Sequence, residues 1–240
     1  MVCLVEPKLT DEGVGAKAKR LIPNNGNHLD PFVIFDEYFI SPDASFPMHP
    51  HGGFEGFQFL VEGATDYADV FGNKGLIRGG EIRRFLAGEG FAHSEHPRYD
   101  GTVRGYLVWM KLPSEMSNVR SVFQEWHGED VEVEENEDMR ITKIFGEGAP
   151  VPTVTPAVFK HVVFKRESSV EFELASGWSG FLYVSKGELE CCSLVVREGK
   201  GAILEPGNLC EAKGTPGTEM VLLRGRRIKE EIVQDGHFVK

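Results

Sequence analysis

The 240-residue chain is long enough for one large or two small domains and can bury a substantial core. Its net charge of −11 argues against nonspecific binding to nucleic acid or to an anionic membrane, since both need a local excess of Lys and Arg. Seventeen Phe and 28 Gly, with few long polar-helical stretches, favour a β-rich fold with many turns.

No basic-then-apolar leader opens the sequence, and no apolar run approaches the roughly 18 residues a membrane helix needs, so the reading predicts a cytoplasmic protein. Two small basic clusters, Lys17-Ala-Lys19-Arg20 and Arg224-Gly-Arg226-Arg227, read as solvated strand ends. The chemistry concentrates at His49-Pro50-His51 and His93-Ser94-Glu95, each at an end of a β-rich apolar stretch. Side chains alternate faces along a strand, so residues two apart point the same way and each motif can aim two ligands into one interior. Three imidazoles and a carboxylate suit a borderline or hard divalent ion such as Fe, Mn, Ni, Cu or Zn, with room for water, substrate or O2. If no bulge intervenes, the same face continues through Phe57, Phe59 and Val61, with Phe91 and Trp109 as further candidates for an aromatic pocket.

Two glutamates compete for the carboxylate position. The spacing His49-Pro-His51-Gly-Gly-Phe-Glu55, followed by Glu62-Gly63, resembles the first motif of the cupin β-barrels, in which the later glutamate is a ligand. The run Ala87-Gly88-Glu89-Gly90-Phe91-Ala92-His93-Ser94-Glu95-His96-Pro97 resembles the second motif as pirins and related bacterial quercetin 2,3-dioxygenases carry it. Asp30-Pro31-Phe32, Phe35-Asp36-Glu37 and Leu107-Val108-Trp109 fall in that family's order. The resemblance is strong over about residues 20 to 112 and looser beyond. It implies tandem cupin barrels, an all-β bicupin, with His49, His51, His93 and Glu95 as metal ligands, Fe(II) as the expected ion, and Glu95 as the base. Strand parity also puts Glu95 on the face of His93, which leaves Glu55 to orient an imidazole.

The implied activity is dioxygenation of a flavonol-like aromatic substrate. The alternative is a regulatory protein whose contacts with a transcription factor or metabolic enzyme follow the iron's oxidation state. The chain departs from the family at Gly52, often Arg; at Gly79-Gly80-Glu81, usually Pro-Gly-Asp; and at Gly236-His237-Phe238-Val239, usually Gly-Pro-Phe-Val. It also reaches Lys240 without the family's longer tail, so contacts that depend on such a tail are not expected.

Further along, Glu129 to Asp138 is an acidic run that reads as an exposed connection between an N-terminal barrel at 1–125 and a C-terminal barrel at 126–240. Gly56-Phe-Gln-Phe-Leu-Val-Glu-Gly63 aligns with Gly180-Phe-Leu-Tyr-Val-Ser-Lys-Gly187, with Gly80-Glu81 opposite Pro206-Gly207-Asn208. The alignment sets Glu173 and Ala175 opposite His49 and His51, and Glu219 and Val221 opposite His93 and Glu95. A second copy without imidazoles holds a transition metal poorly and should be structural. The adjacent Cys191 and Cys192 face opposite sides of a strand and cannot easily pair, and buried inert thiol is the expectation for Cys191.

Overall fold

The computed structural model describes residues 3–23, 25–207 and 209–240. Asn208, in the turn compared with Gly80-Glu81, lies outside them. Strands dominate, joined by turns in which glycines such as Gly63 and Gly187 take positive φ. The chain divides into two compact units. One comprises Lys8–Asp130 and Ile228–Lys240, the other Met1–Pro7 and Val131–Arg227. The boundary expected at 125/126 therefore falls five residues before the change of unit at Val131, and a single cut misses the exchange of both end segments. Pairing is the cause: Cys3–Val5 forms a ladder with Lys200–Leu204, while Ile228–Lys240 packs with the first barrel.

Each unit is a β-barrel with the same strand order. In the first, Phe54–Glu62 lies between Ile82–Leu86 and Val103–Lys111, and the latter pairs with the long strand Phe32–His51. That long strand passes on to pair with Phe91–Pro97, which continues to Ala64–Asp69 and Lys74–Arg78. In the second, Trp178–Lys186 lies between Lys200–Leu204 and Glu219–Arg226, followed by Ala157–Phe164, and a four-stranded sheet faces them. The expected all-β pair of cupin barrels is what the chain forms.

The repeat is real, but its register differs from the sequence alignment. Gly80 N donates to Leu60 O and Gly199 N to Val184 O, both at 2.8 Å, so Gly199 and not Gly207 is the counterpart of Gly80. The strand equivalent to Phe91–Pro97 is Leu209–Gly214, and Glu219 instead begins the strand equivalent to Val103–Lys111. Inward positions of the second barrel are Val170, Phe172 and Leu174, facing Cys210 and Ala212, whereas Glu173 is exposed. Apolar side chains thus fill the volume that the first barrel gives to imidazoles, each contributing about 1.5–3 kcal/mol for a residue the size of Phe or Leu. One buried histidine does lie in this unit: His161, whose Nε2 sits 2.8 Å from Oε1 of Glu219, the residue that the sequence alignment sets opposite His93.

The acidic run is more ordered than a connection. Glu132–Glu135 is an edge strand paired with Met139–Phe145, and Glu135 bonds Arg140 at 3.0 Å and Lys165 at 2.6 Å. The basic clusters are likewise engaged in ion pairs and hydrogen bonds: Lys19 with Glu37, Arg20 with Asp36 and Glu12, Arg224 with Glu147, Arg227 with Ser179. Burial pushes the Cys191 thiol up, in keeping with an inert group, and the Cys192 sulfur comes 3.2 Å from that of Cys210.

Candidate metal centre

Two strands build the centre. Phe32–His51 and Phe91–Pro97 run antiparallel with His49 directly opposite His93, and His51 stands two residues further on the same face. An irregularity between Phe46 and His49 lets the register slip, and Glu95 falls opposite Phe46. The rings of His49, His51 and His93 lie with centroids 4.6 to 4.9 Å apart. The sequence-predicted ligands His49, His51, His93 and Glu95 all line one cavity of about 460 Å³ inside the first barrel.

Period-two alternation decides the remaining walls. Ile34, Asp36 and Tyr38 enter from the long strand, Leu107 and Trp109 from Val103–Lys111, Arg83 and Phe85 from Ile82–Leu86, and Gln58 from Phe54–Glu62. Phe57 and Phe59, expected on this face, point to the other side, where Phe59 stacks 6.5 Å from Tyr106, and Val61 is only half-buried. The backbone turns at Gly52-Gly53, with Gly53 at φ +82°, so parity does not carry through from His51. Trp109 does line the cavity, its ring 5.3 Å from that of His51. Phe91 packs behind the imidazoles at 5.4 Å from His51 and 5.2 Å from His93.

Glu55 is on the Phe57 side as well. Its carboxylate accepts from Arg84 Nε at 2.7 Å, so orienting a ligand imidazole is not the role its position supports. Glu95 accepts a hydrogen bond from Arg83, which also donates to Gln58 Oε1 at 2.5 Å and lies 4.5 Å from the Tyr67 ring. Sequence reasoning missed Arg83 and Gln58, whose residue types on a strand carry no ligand spacing. It also noted His237 only as a departure. The structure places that ring 5.3 Å from His49 and 5.2 Å from His51.

The protonation state suits metal binding. His51 and His93 are 4% and 2% exposed, and burial drives both well below the ordinary imidazole range, with neighbouring imidazoles adding for His51 and the Arg83 guanidinium for His93. Both are therefore neutral at physiological pH and carry a free lone pair. His49 Nδ1 lies 2.8 Å from Pro47 O; a carbonyl only accepts, so the proton sits on Nδ1 and the lone pair on Nε2. The Nε2 atoms of His51 and His93 are 3.0 Å apart. Two ligands at right angles on one ion, with bonds of about 2.1 Å, are separated by about 3.0 Å. Across this distance one neutral ring can donate its Nε2–H to the other, and with both lone pairs free the same two atoms suit adjacent positions on a divalent transition metal, which this donor set fits.

The family model described as Pirin matches residues 15–110, and the one described as Pirin C-terminal cupin domain matches residues 159–240. A pirin-like protein of Solanum lycopersicum is 33% identical, covering 95% of this chain and 82% of the relative. Pirin of Homo sapiens is 29% identical, covering 95% and 83% respectively. Among solved structures, a quercetin 2,3-dioxygenase from Acinetobacter baumannii has a TM-score of 0.90 at 22% identity, covering 99% of this chain and 83% of that one. The bacterial pirin YhhW of Escherichia coli, in complex with nickel(II), has a TM-score of 0.78 at 16% identity, covering 95% and 99%.

Proposed function

The chain belongs to the pirin family, and from that premise we propose that it is a mononuclear metal-dependent oxygenase acting on a flavonol-like aromatic. The observation that carries this reading is that His49, His51, His93 and Glu95 line one cavity walled by Ile34, Phe85, Leu107 and Trp109. His49, His51 and His93 would hold the metal, with Fe(II) the first candidate and Mn, Ni, Cu and Zn the others. Glu95 would divide its carboxylate between the metal and Arg83. The metal would supply Lewis acidity toward an enolate-like substrate oxygen and a means of engaging O2.

The chain's own residues account for the rest. The apolar walls exclude water and seat a flat ring system, while Gln58 and Asp36 offer polar contacts at its edge. Glu95 accepts the proton of the substrate hydroxyl, and Arg83 stays within hydrogen-bonding reach of that carboxylate in either protonation state. Likeness to the Acinetobacter enzyme supports the choice of substrate class.

The test is turnover of quercetin in air by protein reconstituted separately with each of the five metals, followed by oxygen uptake and loss of the flavonol absorption band. We expect Glu95→Gln to lower turnover by about 10²- to 10⁴-fold, the usual span for a lost general base. Glu55→Gln should retain most activity, since Glu55 lies on the far face. Absence of turnover with all five metals would overturn the enzymatic reading and favour the regulatory one.

A further inference from the structure

The segment Ile228–Lys240 is held against the first barrel at several points. Asp30 accepts from the backbone N of Ile228 and Lys229 at 2.9 and 2.8 Å, and Glu230 from Ser114 Oγ at 2.5 Å. Gln234–Asp235 and Phe238–Val239 then pair as a small hairpin. Gly52, next to the ligand His51, exchanges backbone hydrogen bonds with this hairpin: Gly52 N donates to His237 O at 3.3 Å, and Val239 N to Gly52 O at 2.9 Å. The two glycines after His51 make that approach possible. A Cβ on Gly52 would meet Phe238 at 3.0 Å, and one on Gly53 would overlap Val239 O at 1.8 Å.

The hairpin sets the His237 imidazole beside the cluster. Ring nitrogens of His49, His51 and His237 all lie within 4.8 Å of one another, and the side chain lines the same cavity. The ring is exposed and sits at the mouth of the site, so a rotation about its side-chain torsions would bring its nitrogen toward those of His49 and His51.

We propose that His237 is a fourth imidazole ligand of the metal centre, delivered by the C-terminal hairpin. This rests on the preceding reading that His49, His51 and His93 bind a metal. His237 would then add an imidazole to the donors of His49 and His51, whose ring nitrogens it already approaches. Metal occupancy then tethers the hairpin, so the order of residues 234–240 follows the metal.

The test uses the full chain loaded with Ni(II). X-ray absorption counts the imidazoles, calorimetry gives the affinity, and hydrogen exchange follows the hairpin with and without Ni(II). The expected results are four imidazoles and Ni(II)-dependent protection of residues 234–240. In His237→Ala the count should fall to three, the affinity by about tenfold or more, and the protection should vanish. Phe238→Ala, which loosens packing but leaves the imidazole, should keep the count at four. Three imidazoles in the wild type, with affinity unchanged in His237→Ala, would overturn this proposal alone. Failure of the wild type to bind Ni(II) would overturn both it and the metal-site reading.

Discussion

At the scale of single residues, the balance of charge around the cavity turns on Arg83. The side chain is 1% exposed; its Nη2 donates to Glu95 and Gln58 and the guanidinium lies against the face of Tyr67, while Nε and Nη1 are buried without a hydrogen-bond partner. Removing one member of a buried ion pair leaves the other uncompensated, at a cost of about 3–5 kcal/mol. Arg83→Met should therefore lose stability on that order in urea unfolding, and Arg83→Met with Glu95→Gln should recover most of it. An additive double variant would show that the pair is not coupled. The imidazoles give a second expectation. His51 and His93 have folded pKa values below the unfolded value of about 6.5, so as pH falls past that point the unfolded chain binds protons that the folded chain refuses. Their contribution is fully present above about pH 6.5 and is lost below it, by about 1.4 kcal/mol per pH unit for each histidine. Metal-free protein unfolded in urea from pH 7.5 to 5 should show this slope, reduced in His51→Gln; equal slopes in the two would contradict it. These histidines were legible because ligands two apart on a strand leave a spacing. Arg83 and Gln58 leave none, because their partners come from different strands.

Among the elements, the junction at Gly52-Gly53 does the most to shape the site. Gly53→Ala would combine positive-φ strain with collision against Val239 O, whereas Gly72→Ala, at φ +89° with open space around it, would carry the strain alone. The strain is worth about 1–2 kcal/mol, so Gly53→Ala should destabilise by distinctly more and expose residues 234–240 to carboxypeptidase. Equal losses in the two variants would mean that the hairpin does not press on this turn. The same junction explains why part of the cavity wall was misread: alternation is a local rule, and a turn between His51 and Phe54 resets it, exchanging Phe57 and Phe59 for Gln58. The repeat was legible from Gly56–Gly63 and Gly180–Gly187 because both strands sit centrally and end in a positive-φ glycine. Beyond Gly187 the register drifted, since loop lengths differ between the copies and only hydrogen bonding identifies Gly199 as the partner of Gly80. The expectation that the second copy holds no metal now rests on different residues, Phe172, Leu174 and Cys210 at its inward positions.

For the molecule as a whole, one metal per chain is expected, all of it in the barrel that carries the histidines. Equilibrium dialysis of wild type against His49→Ala with His93→Ala checks this, and a stoichiometry near two, or metal retained by the double variant, would contradict it. Metal at 100 times its dissociation constant should stabilise that barrel by about 2.7 kcal/mol. Among the described residues, no helix is long and apolar enough to cross a membrane. The all-β outline and the pair of barrels were readable in turn residues and repeats, but the exchange of end segments was not, because only long-range pairing specifies it. That exchange has a consequence for biosynthesis. Residues 228–240 leave the ribosome after Val131–Arg227, so at about 5–20 residues per second the first barrel waits roughly 5–20 s for its closing hairpin. The barrel whose strands are mostly made first is thus completed last, and a nascent chain stalled at Arg227 would display His49, His51 and His93 in a vessel still lacking one wall.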